Sequence, residues 1–501
     1  MSRRGLSGHN TARQIHSYAP IDRCPPEILL KILEYDDDPT FYVHRICRRW
    51  DEIIEGQSRF WTDITVTSDY REMHRELPRL LRLSGSQLLN IYLLLDPPAH
   101  ERKDGDEDTS PNIHPGMELL KQHSHRWSTL RIVAHLVNQT EVVARCLQNV
   151  QAPNLRTLLL VDYERKYYPD STWSILKPRG ERVMTFGGAP LPNLAVLRLD
   201  QCFARCCSVS MVGLTTLHLG IPVGTLYEPA MQSICAVFQS SPNLRCLGLG
   251  LRGVEPSDQP MHDPVSITVP SLLYLNIDVA DEEMVCAILW TFVFPALKTL
   301  HICDHYDQRQ PMGLRDGNNA SSIQGIIERY EDDNLSHPYH LLQHLTMKCV
   351  TYETFFPILE LFWGLRFLTV CGNYNMEEWI TALDMDEEVG FWCPKLEVLT
   401  WYTYAADEEM QDLFLQMVVN RVDHGCLREV RLLTGHHQFG GFDEETVEAL
   451  QAMEGLEVTY VKMYAYEPEG DDAKLCEKLA DLYATNADFD DWAWHEWDHS
   501  W

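Results

Sequence analysis

The stretch PNLRCLGL, residues 242–249, carries the pattern that decides the fold of this 501-residue chain. It places leucine at positions 244, 247 and 249, a Leu-x-x-Leu-x-Leu arrangement, behind a Pro-Asn pair. Two weaker versions of this arrangement, residues 88–93 and 127–132, come before a long series, which indicates a repeat architecture. The ten full copies are residues 153–160, 192–199, 212–219, 242–249, 270–277, 295–302, 340–347, 363–370, 394–401 and 425–432.

The alternation within each copy predicts a short strand. Leu247 and Leu249 are two residues apart, so in an extended chain they point to one side, whereas Cys246 and Gly248 point to the other. Each copy is therefore expected to bury one side of its strand. The proline in front suits a turn, where its missing N–H leaves no hydrogen bond unmade.

Segments with helical periodicity and acidic starts separate the strands at residues 228–241, 281–292, 351–363 and 407–422. The first leucine of the copies advances from Leu155 to Leu427 in nine steps, whose mean is near 30 residues and which range from 20 to 45 residues. This alternation resembles the leucine-rich repeat, whose units take about 20–29 residues, with insertions. The predicted fold class is α/β: short N-terminal helices followed by an irregular leucine-rich-repeat-like solenoid, with a curved parallel sheet along its concave wall.

Charge and cysteine usage exclude several function classes. The net charge of −31, from 42 Lys and Arg against 73 Asp and Glu, opposes nucleic acid and anionic lipid as partners. No uncharged apolar run reaches the roughly 18–20 residues that a membrane span needs, so no membrane partner is expected. The 15 cysteines are scattered and the first residues lack an apolar signal core. These features predict reduced thiols and a cytoplasmic or nuclear location.

Residues 25–33, PPEILLKIL, predict a short helix with an apolar face that contains Ile28, Leu29 and Ile32. A second amphipathic helix is predicted around CRRW at residues 47–50. Two such helices in about 40 residues bury little surface and are marginal alone. Either they dock on the solenoid as a cap, or a partner protein covers them.

The ordered combination of CPPEILLKIL (24–33), CRRW (47–50) and FW (60–61) resembles an F-box, although Cys24 replaces the usual leucine and the segment between the helices is shorter. The resemblance implies the substrate-recognition subunit of a cullin-RING ubiquitin ligase. The F-box would bind the Skp-family adaptor, the repeats would hold an unknown target protein, and the chain itself would be neither an enzyme nor dependent on a cofactor. The implied adaptor-binding or F-box-core residues are Pro25, Pro26, Ile28, Leu29, Ile32, Cys47 and Trp50.

The chain is thus predicted to have four parts. Residues 1–20 are expected to be disordered, residues 21–65 form the helical F-box, and residues 66–464 form the solenoid. Residues 465–501 form an acidic, Trp-rich tail, which is either loose or docked as a short capping helix.

Strand positions between the buried leucines are expected to face solvent on the concave wall. They bring together aromatic and cationic side chains, which are frequent anchors in protein interfaces. Each one taken singly also fits an ordinary residue on a strand surface. The predicted target-binding residues are Arg198, His218, Tyr274, Asn276, His301, His344, Phe367 and Arg431.

Three sequence patterns resemble metal sites but are incomplete. HEWDH at residues 495–499 has the His-Glu-x-x-His spacing of zinc proteases, yet only two residues follow in which a third ligand could lie. CFARCC at residues 202–207 lacks a second ligand pair, and His436 and His437 lie in a Gly-rich turn. We expect no metal and no catalytic residue. Two other functions stay open: a repeat scaffold with no link to ubiquitin, and an enzyme that uses the terminal motif.

Overall fold

A computed structural model of the chain shows how the repeated leucines are used. The first leucine of each of the ten copies is at most 2% exposed, and in seven copies its N–H donates to the carbonyl three residues earlier and closes a tight turn. In two of these turns the N–H of Leu244 donates to the carbonyl of Ser241 at 3.1 Å, and the N–H of Leu155 donates to Ala152 at 3.1 Å. The structure describes residues 24–33, 48–67, 70–95, 114–134, 146–147, 150–162, 191–200, 212–221, 225–251, 254–255, 267–279, 282–304, 339–348, 359, 362–371, 376–386, 390–403, 406–434 and 441–462.

Fourteen parallel strands form one sheet in which neighbours in space are also neighbours in sequence. Strands β2 to β13 are the two weaker and ten full copies of the repeat, which confirms the predicted strands. The edge strands β1 and β14 are additional. The strands are β1 (Asp63–Thr67), β2 (Leu89–Leu95), β3 (Trp127–Ala134), β4 (Thr157–Asp162), β5 (Val196–Asp200), β6 (Thr216–Gly220), β7 (Cys246–Gly250), β8 (Tyr274–Val279), β9 (Thr299–Asp304), β10 (His344–Lys348), β11 (Phe367–Cys371), β12 (Val398–Thr403), β13 (Glu429–Thr434) and β14 (Glu457–Lys462).

The described helices agree with three of the four predicted segments, and the fourth, residues 351–363, lies largely outside the described residues. Short strands pair as 225–226 with 254–255, 267–268 with 292–293, and 385–386 with 390–391. No described helix combines the length and apolar character needed to cross a bilayer. The helices are α1 (Pro26–Leu33), α2 (Arg48–Glu55), α3 (Tyr70–Leu83), α4 (His114–Lys121), α5 (Tyr227–Ser240), α6 (Glu282–Thr291), α7 (Met376–Leu383), α8 (Glu408–Asp423) and α9 (Glu444–Gln451), with 3-10 turns at Ser58–Trp61 and Ser124–Arg126.

The core lies between one face of the sheet and the helices. The strand register aligns equivalent leucines, so that Leu247 of β7 pairs with Leu275 of β8, and Leu275 pairs with Leu300 of β9. These leucines are fully buried, and the same apolar cluster includes Ile234 of α5 and Phe414 of α8. The result is a solenoid-like α/β fold in which one sheet face is covered by helices. The opposite face is called the open face below.

The asparagine of the Pro-Asn pair links successive turns. The Nδ2 of Asn154 donates to the carbonyl of His125 at 2.7 Å, that of Asn193 to Pro153 at 2.8 Å, and that of Asn243 to Val212 at 2.8 Å. Each acceptor lies in the turn of the preceding repeat, so the side chain satisfies a carbonyl that the strand ladder does not reach. This explains why asparagine follows proline in several copies.

Close stacking of the turns also makes one glycine indispensable. A Cβ at Gly364 would lie 2.6 Å from the carbonyl oxygen of His340 and 3.2 Å from that of Leu342. Gly213 occupies the same position of its own copy, but a Cβ there would meet only carbonyl oxygens at 3.4 and 3.5 Å.

We expect Gly364→Ala to lower the free energy of unfolding by about 1–3 kcal/mol, measured by urea denaturation. Gly213→Ala is the matched control, expected to change it by about 0.5 kcal/mol or less. Equal stability of the two variants would contradict the stacking argument.

Candidate functional site

Helix α1 has one buried and one exposed side. Its first turn is closed by the carbonyl of Pro25, which accepts from the N–H of Ile28 at 3.0 Å and of Leu29 at 3.2 Å. Pro26 fits this first turn because its missing N–H would have no partner in the helix. Leu29 is fully buried, whereas Ile28 is 46% and Ile32 is 49% exposed. The structure therefore divides the apolar face that the sequence predicts.

A small core lies beneath α1. It consists of Leu29, Trp50, Ile54 and Trp61, all of which are 5% exposed or less. The indole N–H of Trp61 donates to the carbonyl of Ile54 at 2.9 Å and thereby fixes the turn after α2 to the end of that helix. Two tryptophans thus hold α1 and α2 together, although the pair of helices is short.

Helix α3 joins this small core to the sheet. Leu80 of α3 contacts the small core, and its neighbour Leu81 belongs to the main core. Arg79 forms an ion pair with Glu55 of α2 at 2.7 Å, and its guanidinium lies 5.6 Å from the centre of the Trp61 ring. The two short helices are therefore docked on the solenoid, as the capping alternative expects, while Ile28 and Ile32 remain outside.

The residues assigned to adaptor binding fall into three groups. Those accessible to a partner are Pro25, Pro26, Ile28 and Ile32. Leu29 and Trp50 are buried in the small core, so they support the surface and do not themselves offer contact area. Cys47 lies outside the described residues. All four accessible residues belong to α1 or directly precede it, and Pro25, Ile28 and Ile32 follow one another at the helical spacing of three and four residues. These four residues are called the α1 surface below.

Two rows of side chains run across the open face from β1 to β14, and the register aligns them strand by strand. All eight predicted target-binding residues belong to them. The central row is Thr65, Tyr92, Arg131, Leu159, Arg198, His218, Gly248, Asn276, His301, Thr346, Thr369, Thr400, Arg431 and Thr459. The first row, two residues earlier in each strand, is Asp63, Asn90, Thr129, Thr157, Val196, Thr216, Cys246, Tyr274, Thr299, His344, Phe367, Val398, Glu429 and Glu457.

These rows are less accessible than the sequence predicts. His218 and Asn276 are each only 7% exposed, and the other six predicted residues are half-buried. Neighbouring strands stand about 4.8 Å apart on both sides, so each side chain is flanked by two others. His218 is covered further because it lies across Gly248 of β7, where any Cβ would collide with its Nδ1. The prediction that His218 and Asn276 face solvent is therefore wrong.

Aromatic and imidazole rings group near the middle of the open face. The rings of His344 and Phe367 are stacked in parallel, with centroids 4.2 Å apart and planes 2° apart. Tyr274 and His301 are in contact with centroids 5.0 Å apart. Four of the eight predicted residues are thus brought together within four neighbouring strands, which supplies rigid area for contact with a partner.

Both histidines of this group are uncharged at neutral pH. Burial lowers the pKa of His301 to about 4, with a smaller contribution from His344. Burial also lowers the pKa of His344 to about 4, and the nearby charge of Arg366 acts in the same direction. An imidazole in this state keeps one N–H donor and one acceptor nitrogen.

Ion pairs stand at the margins of the rows. The guanidinium of Arg366 donates to both carboxylate oxygens of Glu397 at 2.9 and 2.6 Å, and it lies 5.6 Å from the centre of the Phe367 ring. On β13, the guanidinium of Arg431 donates to both carboxylate oxygens of Glu429 at 2.5 and 3.0 Å. This predicted target-binding residue therefore already has an ion-pair partner within the chain.

Two residues of the central row, Tyr92 and Arg131, are missing from the predicted target-binding residues. Arg131 of β3 lies over the ring of Tyr92 of β2, with 4.8 Å from the guanidinium carbon to the ring centre. The weaker copies of the repeat already contain the signal, since the position between their last two apolar residues holds Tyr92 and Arg131. Extending the row of the full copies to them would have found both.

Within the described part of the chain, no three His, Cys, Asp or Glu side chains come together as a metal site. The three incomplete motifs, residues 202–207, 436–437 and 495–499, lie outside the described residues. A comparison with models of known protein families gives no match, and a search of curated proteins also finds none.

Proposed function

We propose that this chain is the target-recognition subunit of a cullin-RING ubiquitin ligase, with an F-box-like unit at residues 21–65 and a leucine-rich-repeat-like domain behind it. The observation that carries the proposal is the α1 surface, where Ile28 and Ile32 are about half exposed on a helix that two buried tryptophans hold in place. An apolar surface that is both ordered and uncovered is typical of a site for a partner protein.

The order of sequence motifs supports the adaptor as that partner. The Pro-Pro-Glu-Ile-Leu start, the Trp of CRRW and the Phe-Trp pair resemble the F-box, and Trp50 and Trp61 share one small core in the structure. On this proposal the chain contributes proximity and no bond chemistry, because it holds a target lysine near a ubiquitin thioester on another subunit.

The test is binding of purified Skp-family adaptor to the full-length chain. Burying the exposed part of each isoleucine contributes about 1–2 kcal/mol, and an aspartate in its place adds a desolvation cost. We therefore expect Ile28→Asp with Ile32→Asp to weaken adaptor binding at least about 100-fold. Leu29 is left unchanged, because a charge at this fully buried position would unfold the small core.

The matched control is Leu226→Asp, since Leu226 is a 58% exposed apolar residue far from α1 in sequence and on the solenoid. It should bind adaptor as the wild type does. Circular dichroism and the thermal midpoint should be the same for all three proteins. Equal binding by the double variant, or no binding by the wild type, would overturn the proposal.

A repeat scaffold without a link to ubiquitin is the second candidate. It is supported by the docking of the small core on α3, because a terminal repeat needs an element that covers it and the N-terminal helices could supply that cover. A wild-type chain that is fully folded but does not bind the adaptor would select this function.

A further inference from the structure

A third row of side chains lies where the strands begin, one residue before the first row. The main chain aligns it, since the N–H of Leu273 donates to the carbonyl of Arg245 at 2.8 Å and that of Lys298 donates to Leu273 at 2.9 Å. This row is called the entry row, and its members on β3 to β11 are Ser128, Arg156, Ala195, Thr215, Arg245, Leu273, Lys298, Gln343 and Arg366.

The charges on this part of the sheet have one sign. From β3 to β11 the entry, first and central rows hold 27 residues, of which six are Arg or Lys and none is Asp or Glu. The whole chain has the opposite balance, with 73 acidic against 42 basic residues. Burial would exclude both signs, so it does not explain why only the acidic residues are missing.

The positive charges are accessible. Arg156, Arg245 and Lys298 are exposed, and Arg366 is half-buried. Of the bordering carboxylates, Glu397 of β12 is paired with Arg366, and Asp278 is buried. This edge of the open face therefore attracts negative groups, although the chain as a whole repels them.

Rings and positive charges alternate from β7 to β11. Arg245 lies on β7 and Lys298 on β9, whereas Tyr274 lies on β8 and His344 on β10. On β11 the guanidinium of Arg366 lies 5.6 Å from the centre of the Phe367 ring, which is itself stacked on His344. A ligand that fits this surface carries carboxylates and aromatic rings close together.

The chain itself contains a segment with this composition. Residues 486–501, NADFDDWAWHEWDHSW, lie outside the described residues and hold five acidic side chains, no Lys or Arg, and five Phe or Trp rings. Four of the 13 tryptophans of the chain lie in these sixteen residues. The segment complements the surface from β7 to β11 in both charge and ring content.

The segment can reach this surface in its own chain. The sheet ends with β14 at Lys462, so residues 463–485 lie between the sheet and the segment. These 23 residues span up to roughly 75 Å when extended, whereas the seven strand spacings from β14 to β7 amount to roughly 34 Å. A tether of this length keeps the segment at a high effective concentration over the sheet.

We propose that residues 486–501 dock on the open face of their own chain across β7 to β11, with their carboxylates beside Arg245, Lys298 and Arg366 and their indole rings against Tyr274, His344 and Phe367. Docking itself needs no adaptor. Only its consequence, that a target has to displace the segment from the rings, rests on the proposed function.

The test is carbodiimide cross-linking of the full-length chain, which joins a carboxylate and an ammonium group in direct contact as an amide. Peptides from the monomer fraction are then identified by mass spectrometry. We expect Lys298 to be linked to an acidic residue of 486–501, with a yield that falls at least about threefold in 0.5 M salt. Lys31, exposed on α1 at the other end of the sheet, is the internal control and should not be linked to this segment.

Two pairs of substitutions test the charges. Arg245→Gln with Arg366→Gln leaves Lys298 in place and should lower the yield of its link at least about threefold, because the segment loses two ion pairs. Arg75→Gln with Arg82→Gln makes the same change of charge at exposed positions of α3 and should alter the yield less than about 1.5-fold.

Substitutions in the segment test the rings. Trp492→Ala with Trp494→Ala and Trp497→Ala keeps all five carboxylates, and it should also lower the yield at least about threefold. Four results would overturn the inference: no link to Lys298, a link of equal yield to Lys31, a link confined to a dimer fraction, or equal effects of the two arginine pairs. An unchanged yield in the tryptophan variant would overturn the ring contacts. Adaptor binding enters none of these measurements, so its failure would remove the proposed function and leave the docked segment in place.

Discussion

Replacing Arg421 by methionine is expected to lower the free energy of unfolding by about 3–5 kcal/mol. Arg421 of α8 is completely buried. Its guanidinium donates to the carbonyls of Leu383 at 2.6 Å, Trp392 at 2.7 Å and Cys393 at 3.4 Å. These acceptors belong to the end of α7 and to the segment that enters β12, so one side chain ties three parts of the chain together. Methionine preserves much of the volume but leaves the buried carbonyls without these donors.

Arg421 also shows how burial and hydrogen bonding oppose each other. Burial lowers the pKa of its guanidinium, which means that the charged form is held there at a cost, and the hydrogen bonds that the guanidinium donates to the carbonyls offset this cost. Arg421→Lys keeps the charge, but its single ammonium nitrogen cannot reach all three carbonyls. We expect this variant to lose an intermediate amount of the free energy of unfolding. The control is Arg428→Met, at an exposed position, expected within about 0.5 kcal/mol of wild type.

Urea denaturation and hydrogen exchange together provide the measurement for Arg421. Repeats contact mainly their neighbours, so the loss should appear first as faster exchange in α7, α8 and β12. A stability within 1 kcal/mol of wild type for Arg421→Met, or faster exchange confined to the far end of the sheet, would show that the three hydrogen bonds do not hold this region.

Acidification is the second change with a large expected effect. Because the pKa values of His301 and His344 are about 4 in the fold, the unfolded chain takes up protons at these residues below about pH 6.5 while the folded chain does not. Proton uptake by the unfolded state favours unfolding, so the stability from these two groups is present near pH 7 and is lost as the pH falls towards 4. We expect a loss of about 2–4 kcal/mol between pH 7 and pH 5, after allowance for their partial exposure.

A comparison of variants separates the contribution of these two histidines from that of the other titrating groups. Replacing both His301 and His344 by Gln should make the fall in urea midpoint between pH 7 and pH 5 clearly smaller than in wild type. The exposed His125, replaced by Gln, serves as the control and should leave the fall unchanged. If the double variant loses as much stability as the wild type, the two imidazoles do not remain neutral in the fold.

Local patterns were sufficient to predict the repeat strands. Leu244, Leu247 and Leu249 are predicted to be buried from eight consecutive residues, and they are buried because every neighbouring strand repeats the same positions. The edge strands were not predicted, because β1 and β14 pair with the sheet without carrying the repeat pattern. The boundary predicted after residue 65 accordingly falls inside β1.

Contacts between repeats explain the remaining differences. The burial of His218 depends on a glycine 30 residues away, and the partners of Arg421 lie 28 to 38 residues before it. The helix period of α1 places Ile28 and Leu29 side by side, and only their packing decides that Leu29 enters the small core while Ile28 stays outside. Sequence periodicity gives the candidates for burial, and the neighbouring elements select among them.

Because the strands follow one another in sequence order, the number of repeats between two sites sets the distance between them along the sheet. The α1 surface is attached at the β1 end, and the half-buried rings of Tyr274, His301, His344 and Phe367 begin seven strands later at β8. Each repeat adds about 4.8 Å, so on the proposed function a target held at these rings lies roughly 34 Å along the sheet from the first strand. Gain or loss of one repeat between β1 and β8 would move the target by one strand spacing without altering the α1 surface or the group of rings.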